Sequence, residues 1–251
     1  MILYFSGTGN SRYISEVLNS KINDEIVSIN NCLKMKHNFS FISDKPYVIV
    51  CPTYAWQIPR VVEAFINQNS FNGSKKIYFV LTCGSGIGNA EKYVKKLALD
   101  NKLEYMGIKA IKMPENFITM FKAPNSNEAK KIIIKAVESA LEIAKIIKNE
   151  KKFIKSKYRP GNITLSSIIN KIFYAVFVKA DGFHTNKKCT GCGNCRKLCS
   201  LNNIEIIKSK PRWSNHCTQC MACINACPLQ AIEYKNKTQG KTRYYLNEHY
   251  R

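Results

Sequence analysis

Hydrophobic and polar positions alternate along the first 150 residues in blocks that predict strands and helices in turn. Short apolar runs rich in Ile, Val and Phe predict buried strands, and segments with apolar residues at helical spacing follow most of them. This alternation is typical of a parallel sheet with helices on both faces. The predicted strands are Ile2–Phe5, Glu25–Ile29, Tyr47–Cys51, Ile77–Thr82 and Ile108–Met113, and the predicted helices are about Asn10–Asn19, Arg60–Gln68, Asn89–Asp100 and Asn127–Asn149.

The pattern changes after residue 150. Residues 151–183 predict a basic connector, because nine Lys and Arg stand between Lys151 and Lys188 against Asp181 alone. Its apolar segment 165–178 is shorter than the ~20 residues that span a bilayer. An amphipathic helix packed on the protein is the favoured interpretation, with an interfacial membrane helix as the alternative. We expect no integral membrane segment.

Residues 184–251 are rich in cysteine, since eight of the eleven cysteines fall between Cys189 and Cys227. They form two copies of the spacing C-x2-C-x2-C-x3-C: Cys189, Cys192, Cys195 and Cys199, then Cys217, Cys220, Cys223 and Cys227. In this spacing three thiolates wrap one [4Fe–4S] cube and the fourth reaches the other cube. The expected ligand sets are therefore crossed: Cys189, Cys192, Cys195 and Cys227 for the first cluster, and Cys199, Cys217, Cys220 and Cys223 for the second.

Structural zinc is the alternative for these cysteines, but it favours two separated C-x2-C pairs and fits two quartets poorly. The segment His184–Tyr234 resembles bacterial two-cluster ferredoxins, which implies a small α+β domain over residues 184–251. Ser200 departs from that family, which usually has proline after the fourth cysteine. The change removes no ligand and is expected to loosen the turn slightly.

A glycine loop follows the first predicted strand and opens the first helix. It consists of Ser6, Gly7, Thr8, Gly9, Asn10 and Ser11. Glycines let backbone N–H groups turn inward, the hydroxyls can donate to a phosphate, and the helix N-terminus adds partial positive charge. The absence of Lys followed by Ser or Thr excludes a P-loop. The first β–α turn of a doubly wound sheet is where a phosphate binds.

This loop resembles the phosphate loop of flavodoxins, and the resemblance covers residues 1–150. It implies a flavodoxin-like α/β fold, a doubly wound parallel five-stranded sheet of order 2-1-3-4-5, with FMN across the carboxyl ends of the strands. Two further loops fall where such a fold contacts the flavin: Pro52, Thr53, Tyr54, Ala55 and Trp56 after the third strand, and Thr82, Cys83, Gly84, Ser85 and Gly86 after the fourth.

Tyr54 or Trp56 is the expected partner for stacking on the flavin ring, with ordinary packing of these aromatics as the alternative. The loop 82–89 has no aromatic residue, so one flavin face is expected to be open or covered by the C-terminal domain. The three loops also contain no Asp or Glu. A less negative flavin potential than in carboxylate-rich flavodoxins is therefore expected, because a reduced flavin is anionic.

The formal charge of +22 predicts an acidic redox partner protein. Nucleic acid is not expected, because no nucleic-acid-binding motif accompanies the lysines. No export signal is expected at the N-terminus, and clustered reduced thiols indicate the cytoplasm. The whole chain resembles flavodoxin–ferredoxin fusion proteins, which implies electron transfer between FMN and two [4Fe–4S] clusters. The alternative is an FMN-dependent reductase of a small molecule, fed by the clusters.

Overall fold

The computed structural model of the chain describes residues 1–154 and 164–246. Residues 155–163 of the predicted connector and 247–251 of the predicted C-terminal domain lie outside the described residues. In the first 150 residues the strands are β1 (Ile2–Tyr4), β2 (Ile26–Ser28), β3 (Ser40–Ser43), β4 (Tyr47–Pro52), β5 (Ser70–Gly73), β6 (Lys76–Cys83) and β7 (Glu104–Lys112). The helices are α1 (Asn10–Ile22), α2 (Ile29–Met35), α3 (Arg60–Gln68), α4 (Ala90–Asp100) and α5 (Ser126–Lys148).

Five parallel strands form the main sheet in the order β2-β1-β4-β6-β7. Counted among the five predicted strands this order is 2-1-3-4-5, so the predicted α/β fold class is confirmed. One face of the sheet packs on α1 and α5, where Ile14 and Ile133 are buried. The other face packs on α3 and α4, where Val62 and Val94 are buried. The sheet is therefore covered on both faces, as a parallel sheet requires.

The sequence pattern missed α2 and a second parallel pair, β3 with β5. Each of these strands has four residues and buries one aromatic side chain, Phe41 or Phe71, among polar neighbours. Such a short pattern has no readable period. The start of β7 was also predicted four residues late. Gly107 interrupts the apolar run there with a φ of 122°, and a Cβ on it would lie 2.6 Å from the side chain of Phe153.

The C-terminal part contains β8 (Phe183–Thr185), α7 (Asn194–Leu198), β9 (Ile204–Ile207), β10 (Lys210–Trp213), α8 (Ala222–Asn225) and β11 (Ile232–Tyr234). Strand β8 pairs antiparallel with β11, and β9 pairs antiparallel with β10. This is the small α+β unit that was predicted. Its buried residues Phe183, Ile224 and Tyr244 belong to the same apolar cluster as α1 and α5. The C-terminal part is therefore packed directly on the sheet domain.

The predicted amphipathic segment of the connector is helical. A π-helix covers Leu165–Ile169, and α6 continues it over Asn170–Val176. The polar side of this segment is held by the loop after β4, because the side-chain amide of Asn170 donates to the carbonyls of Tyr54 (3.1 Å) and Ala55 (2.9 Å). Within the described part of the chain, no helix is both long enough and apolar enough to cross a membrane.

Candidate functional site

A cavity of about 440 Å³ lies at the carboxyl ends of β4, β6 and β7. The cavity is lined by all ten residues predicted in the two later flavin loops: Pro52, Thr53, Tyr54, Ala55 and Trp56 after β4, and Thr82, Cys83, Gly84, Ser85 and Gly86 after β6. Carboxyl ends of neighbouring parallel strands meet at one edge of a sheet, which is why loops distant in sequence converge here.

The loop after β7 forms a third wall that the sequence analysis did not identify. It brings Pro114, Glu115, Asn116 and Phe117 into the cavity. One carboxylate oxygen of Glu115 accepts the backbone N–H groups of Asn116 (2.9 Å) and Phe117 (2.8 Å). The other faces Gly84, where a Cβ would lie 2.5 Å from it. The three predicted loops contain no Asp or Glu, but the loop after β7 brings the carboxylate of Glu115 to this cavity.

Helix α6 and the residues next to it form an outer wall of the cavity. Ile169, Ile172, Phe173 and Phe177 line it, and the ring of Phe173 stands 5.6 Å from that of Phe117. Gln219, from the cysteine-rich segment, completes the lining. The lid therefore comes from the connector and from the C-terminal part together. The only sequence signal for α6 in this position is the apolar face of its segment.

Two buried polar atoms in this cavity lack partners. Thr53 Oγ1 and Gln219 Oε1 are buried and make no hydrogen bond among the described residues. Such atoms are costly to bury unless a ligand or water satisfies them. The cavity has aromatic walls from Tyr54, Trp56, Phe117 and Phe173 beside polar residues, which suits a planar ring with nitrogen and oxygen atoms at its edge, so the lining fits a flavin.

The predicted phosphate loop contributes Asn10 to this cavity, whereas Ser6, Gly7 and Gly9 line a smaller cavity beside Arg12 and Lys34. Thr8 and Ser11 are buried in the loop and line neither of these two cavities. The backbone N–H groups with no acceptor among the described residues belong to Gly7, Thr8, Asn10, Ser11 and Arg12.

The side chains of the loop are partly engaged by the protein. Ser6 Oγ accepts the N–H of Gly9 (3.1 Å), and Thr8 Oγ1 accepts the side-chain amide of Asn116 (2.6 Å). Each of these hydroxyls keeps its own proton for another acceptor. The buried loop thus presents free backbone and hydroxyl donors at the N-terminus of α1, a donor set that fits a phosphate.

The C-terminal part lies directly on this loop. A Cβ on Gly7 would lie 2.0 Å from the carbonyl oxygen of Cys220, and one on Gly9 would lie 2.3 Å from that of Leu246. The N–H of Leu246 donates to the carbonyl of Thr8 (2.8 Å). Glycine is therefore required at both positions for close approach, and at Gly9, whose φ is 95°, for turning as well. Sequence reasoning assigned these glycines to a phosphate alone.

The cysteines surround two further cavities. Cys189, Cys192, Cys195 and Cys227 line one, and Cys199, Cys217, Cys220 and Cys223 line the other. These are the two crossed sets that the spacing predicts. Among the described residues, no three His, Cys, Asp or Glu side chains converge on one point as a single metal ion would require.

Backbone N–H groups point at the sulfurs. Asn203 donates to Cys199 Sγ (3.2 Å), Gln219 to Cys217 Sγ (3.3 Å) and Ala231 to Cys227 Sγ (3.2 Å). Burial raises the pKa of the Cys217 thiol to about 11 and that of Cys220 to about 12. The thiols therefore stay protonated on their own, and a metal must displace their protons. Apolar walls with N–H donors to sulfur fit an iron–sulfur cluster.

The second cysteine set adjoins the large cavity. Gln219 lines both cavities. Burial, and next the nearby thiol of Cys220, raise the pKa of Tyr54 well above its usual value. Cys83, in contrast, lies apart from both sets and donates to the carbonyl of Ile111 (3.8 Å). Burial raises the pKa of its thiol to about 11, which opposes a redox role.

Several known proteins resemble the first domain in structure. The Megasphaera elsdenii flavodoxin is 15% identical, with 58% of this chain and 99% of that chain covered at a TM-score of 0.34. An NAD(P)H:quinone oxidoreductase from Methanothermobacter marburgensis is 9% identical, covering 62% and 97% at 0.38. The Trp repressor binding protein from Bacillus subtilis is 10% identical, covering 57% and 95% at 0.36. No curated protein sequence matches the chain.

Family comparison identifies both parts of the chain. A flavodoxin domain family matches residues 1–142, more than half of the sequence, and a 4Fe–4S binding domain family matches residues 212–233. The second match covers the second cysteine repeat. Flavodoxin and 4Fe–4S domains together support a role in electron transfer. The chain belongs to the flavodoxin domain family and carries a 4Fe–4S ferredoxin domain at its C-terminal end.

Proposed function

We propose that the protein is an electron relay in which FMN at the carboxyl edge of the sheet exchanges electrons with two [4Fe–4S] clusters. The observation that carries this proposal is the position of Gln219, which lines the large cavity and the cavity of the second cysteine set. The proposed flavodoxin-like domain covers residues 1–150, the connector covers residues 151–183, and the two-cluster domain covers residues 184–251. A flavin takes up two electrons and releases them singly, which suits one-electron clusters.

Each part of the FMN site has a proposed task. The free N–H groups of Gly7, Thr8, Asn10, Ser11 and Arg12 bind the phosphate. The loops 52–56 and 82–86 hold the ring, with Tyr54 or Trp56 against its face. At its edge the hydroxyl of Thr53 can donate or accept a hydrogen bond, Gln219 Oε1 can accept one, and α6 covers one side of the ring. Glu115 places a negative charge beside the site and opposes a gain of negative charge there.

The proposed cluster ligands follow the crossed sets. Cys189, Cys192, Cys195 and Cys227 hold the first cluster, and Cys199, Cys217, Cys220 and Cys223 hold the second. The family match covers the second repeat but not the first, so the first cluster rests on the cavity lined by four cysteines. Thiol ligands need a reducing compartment, and the cytoplasm stays our prediction for the location.

A reductase of a small molecule remains the second candidate. It is favoured by the apolar wall that Met120, Phe121 and Ile172 add to the large cavity, each of them about half exposed. These side chains lie at a rim where an apolar substrate could reach the flavin. Steady-state reduction of a small quinone without any protein acceptor would support the reductase function. If no quinone is reduced, the electron relay is the function that stands.

Intramolecular electron transfer tests the relay. The protein, reconstituted anaerobically with FMN, iron and sulfide, should contain one flavin and about eight irons per chain. After rapid partial reduction of the clusters, the flavin absorbance should change at a rate independent of protein concentration. A rate that grows in proportion to concentration would mean that electrons pass between molecules and would reject the relay.

A further inference from the structure

The two ends of the proposed relay differ in their access to solvent. This argument rests on the proposed function. The second cysteine set adjoins the flavin cavity through Gln219, and the backbone of Cys220 is packed on Gly7. Cys223 is 9% exposed, whereas Cys192 is an exposed residue. The second cluster is therefore the internal one, and the first cluster is the one nearest the protein surface.

The surface around Cys192 is strongly basic. Between His184 and Cys217 the chain has seven Lys and Arg against one acidic residue, Glu205. The seven are Lys187, Lys188, Arg196, Lys197, Lys208, Lys210 and Arg212. All except the partly buried Lys210 are exposed.

Contacts hold several of these charges beside the first cluster. Lys210 Nζ donates to the carbonyl of Cys189 (2.8 Å). The turn between β9 and β10 lies on the first cysteine loop, since a Cβ on Gly191 would lie 2.5 Å from the carbonyl oxygen of Ser209. Lys208 is next to Ser209 in this turn, and Lys187 and Lys188 directly precede Cys189. Lys187, Lys188, Lys208 and Lys210 therefore lie beside the loop that carries the exposed thiol, and we call these four side chains the cluster face.

We propose that the cluster face is the docking site of an acidic one-electron carrier protein, which exchanges electrons with the first cluster. One electron leaves the reduced carrier and reduces the cluster, or the reverse, and no bond is made or broken. The basic ring steers a negatively charged partner into the orientation that brings its redox centre to Cys192. The pathway then runs from the first cluster to the second and on to the flavin.

A pair of charge-matched triple variants tests this site. The test variant is Lys187→Gln/Lys188→Gln/Lys208→Gln. The control variant is Lys21→Gln/Lys102→Gln/Lys148→Gln, which removes three exposed charges at the carboxyl ends of α1, α4 and α5. Those helix ends lie at the amino edge of the sheet, opposite the edge on which Cys220 packs. Both variants therefore have the same net charge, with the change in different places.

The assay is stopped-flow reduction of the holoprotein by a reduced acidic [2Fe–2S] ferredoxin. At low salt the test variant should be about tenfold slower and the control less than twofold slower, because steering changes association rates by ~10–10³. The difference should vanish at about 0.5 M salt, where the Debye length is ~4 Å. Reduction by methyl viologen radical cation, which the cluster face does not attract, should not be slowed in either variant.

Equal slowing of both variants would mean that net charge alone acts, and no slowing of either would place docking elsewhere. Either result overturns the proposed site while the relay stands. Failure of the relay itself would give a different result in this assay. In that case the wild-type clusters would be reduced by ferredoxin without any later change in flavin absorbance.

Discussion

Replacing Gly7 with alanine tests the contact between the flavodoxin-like domain and the second cluster loop. The new Cβ would lie 2.0 Å from the carbonyl oxygen of Cys220, whereas ordinary contacts begin at 3.4 Å. The interface must therefore open by about 1.4 Å, and overpacking of this kind costs about 1–3 kcal/mol. For a chain of this size that corresponds to a loss of roughly 2–12 °C in Tm.

The backbone of Gly7 is not in the left-handed region, so alanine introduces no strain of its own there. The N–H group proposed to bind phosphate is also kept. We therefore expect FMN and iron contents near those of the wild type, a lower Tm, and several-fold slower electron transfer between flavin and clusters. Laser flash photolysis with a deazaflavin photoreductant measures that rate directly.

Gly86→Ala is the matched control, because Gly86 also lies in a flavin loop and a Cβ there meets nothing within 4 Å. It should leave Tm unchanged. If Gly7→Ala behaves like this control, the two domains are not in direct contact through Gly7, and the proposed internal position of the second cluster loses its basis.

Three further predictions address single groups. Glu115→Gln should shift the flavin potential to less negative values in a spectroelectrochemical titration, because it removes the carboxylate beside Gly84; an unchanged potential would place the flavin away from this wall. The raised pKa of Cys83, about 11, means that its thiolate is scarce at neutral pH and is gained only as pH rises toward that value, so mass spectrometry should find little alkylation by iodoacetamide at pH 7. Arg243→Met should lower the free energy of unfolding, measured by denaturant titration, by about 3–5 kcal/mol, because it removes the partner of Glu233 in a buried ion pair with an N···O distance of 2.8 Å. Adding Glu233→Leu should recover much of this loss, and additive losses in the double variant would argue against coupling.

The parts of the fold that the sequence predicted are those with a local pattern. The five strands of the main sheet are apolar runs, and the strand-end rule placed the loops 52–56 and 82–86 at one edge. The cysteine spacing predicted two crossed sets because ligand geometry is short-range in sequence. The short strands β3 and β5 were not predicted, because a four-residue strand with one buried aromatic residue shows no hydrophobic period.

The missed parts of the site depend on contacts between distant residues. Helix α6 is held in place by a hydrogen bond from Asn170 to the carbonyl of Tyr54, more than a hundred residues earlier in the chain. No local sequence pattern predicts a contact between residues so far apart. Glu115 could have been found, because it follows the fifth strand at the same edge as the other loops. The contact of Leu246 with Gly9 could not be predicted, because a glycine at this position was already explained by the turn of the loop.

Crossed ligation is the claim on which the order of the relay depends. The most direct test is electron paramagnetic resonance of the reduced double variant Cys199→Ala/Cys220→Ala, alongside each single variant. If both cysteines belong to the second cluster, the double variant keeps the signal of one intact first cluster and retains bound FMN. If each single variant keeps one cluster while the double variant keeps none, the two cysteines serve different clusters. That result would contradict the crossed sets and the pathway built on them.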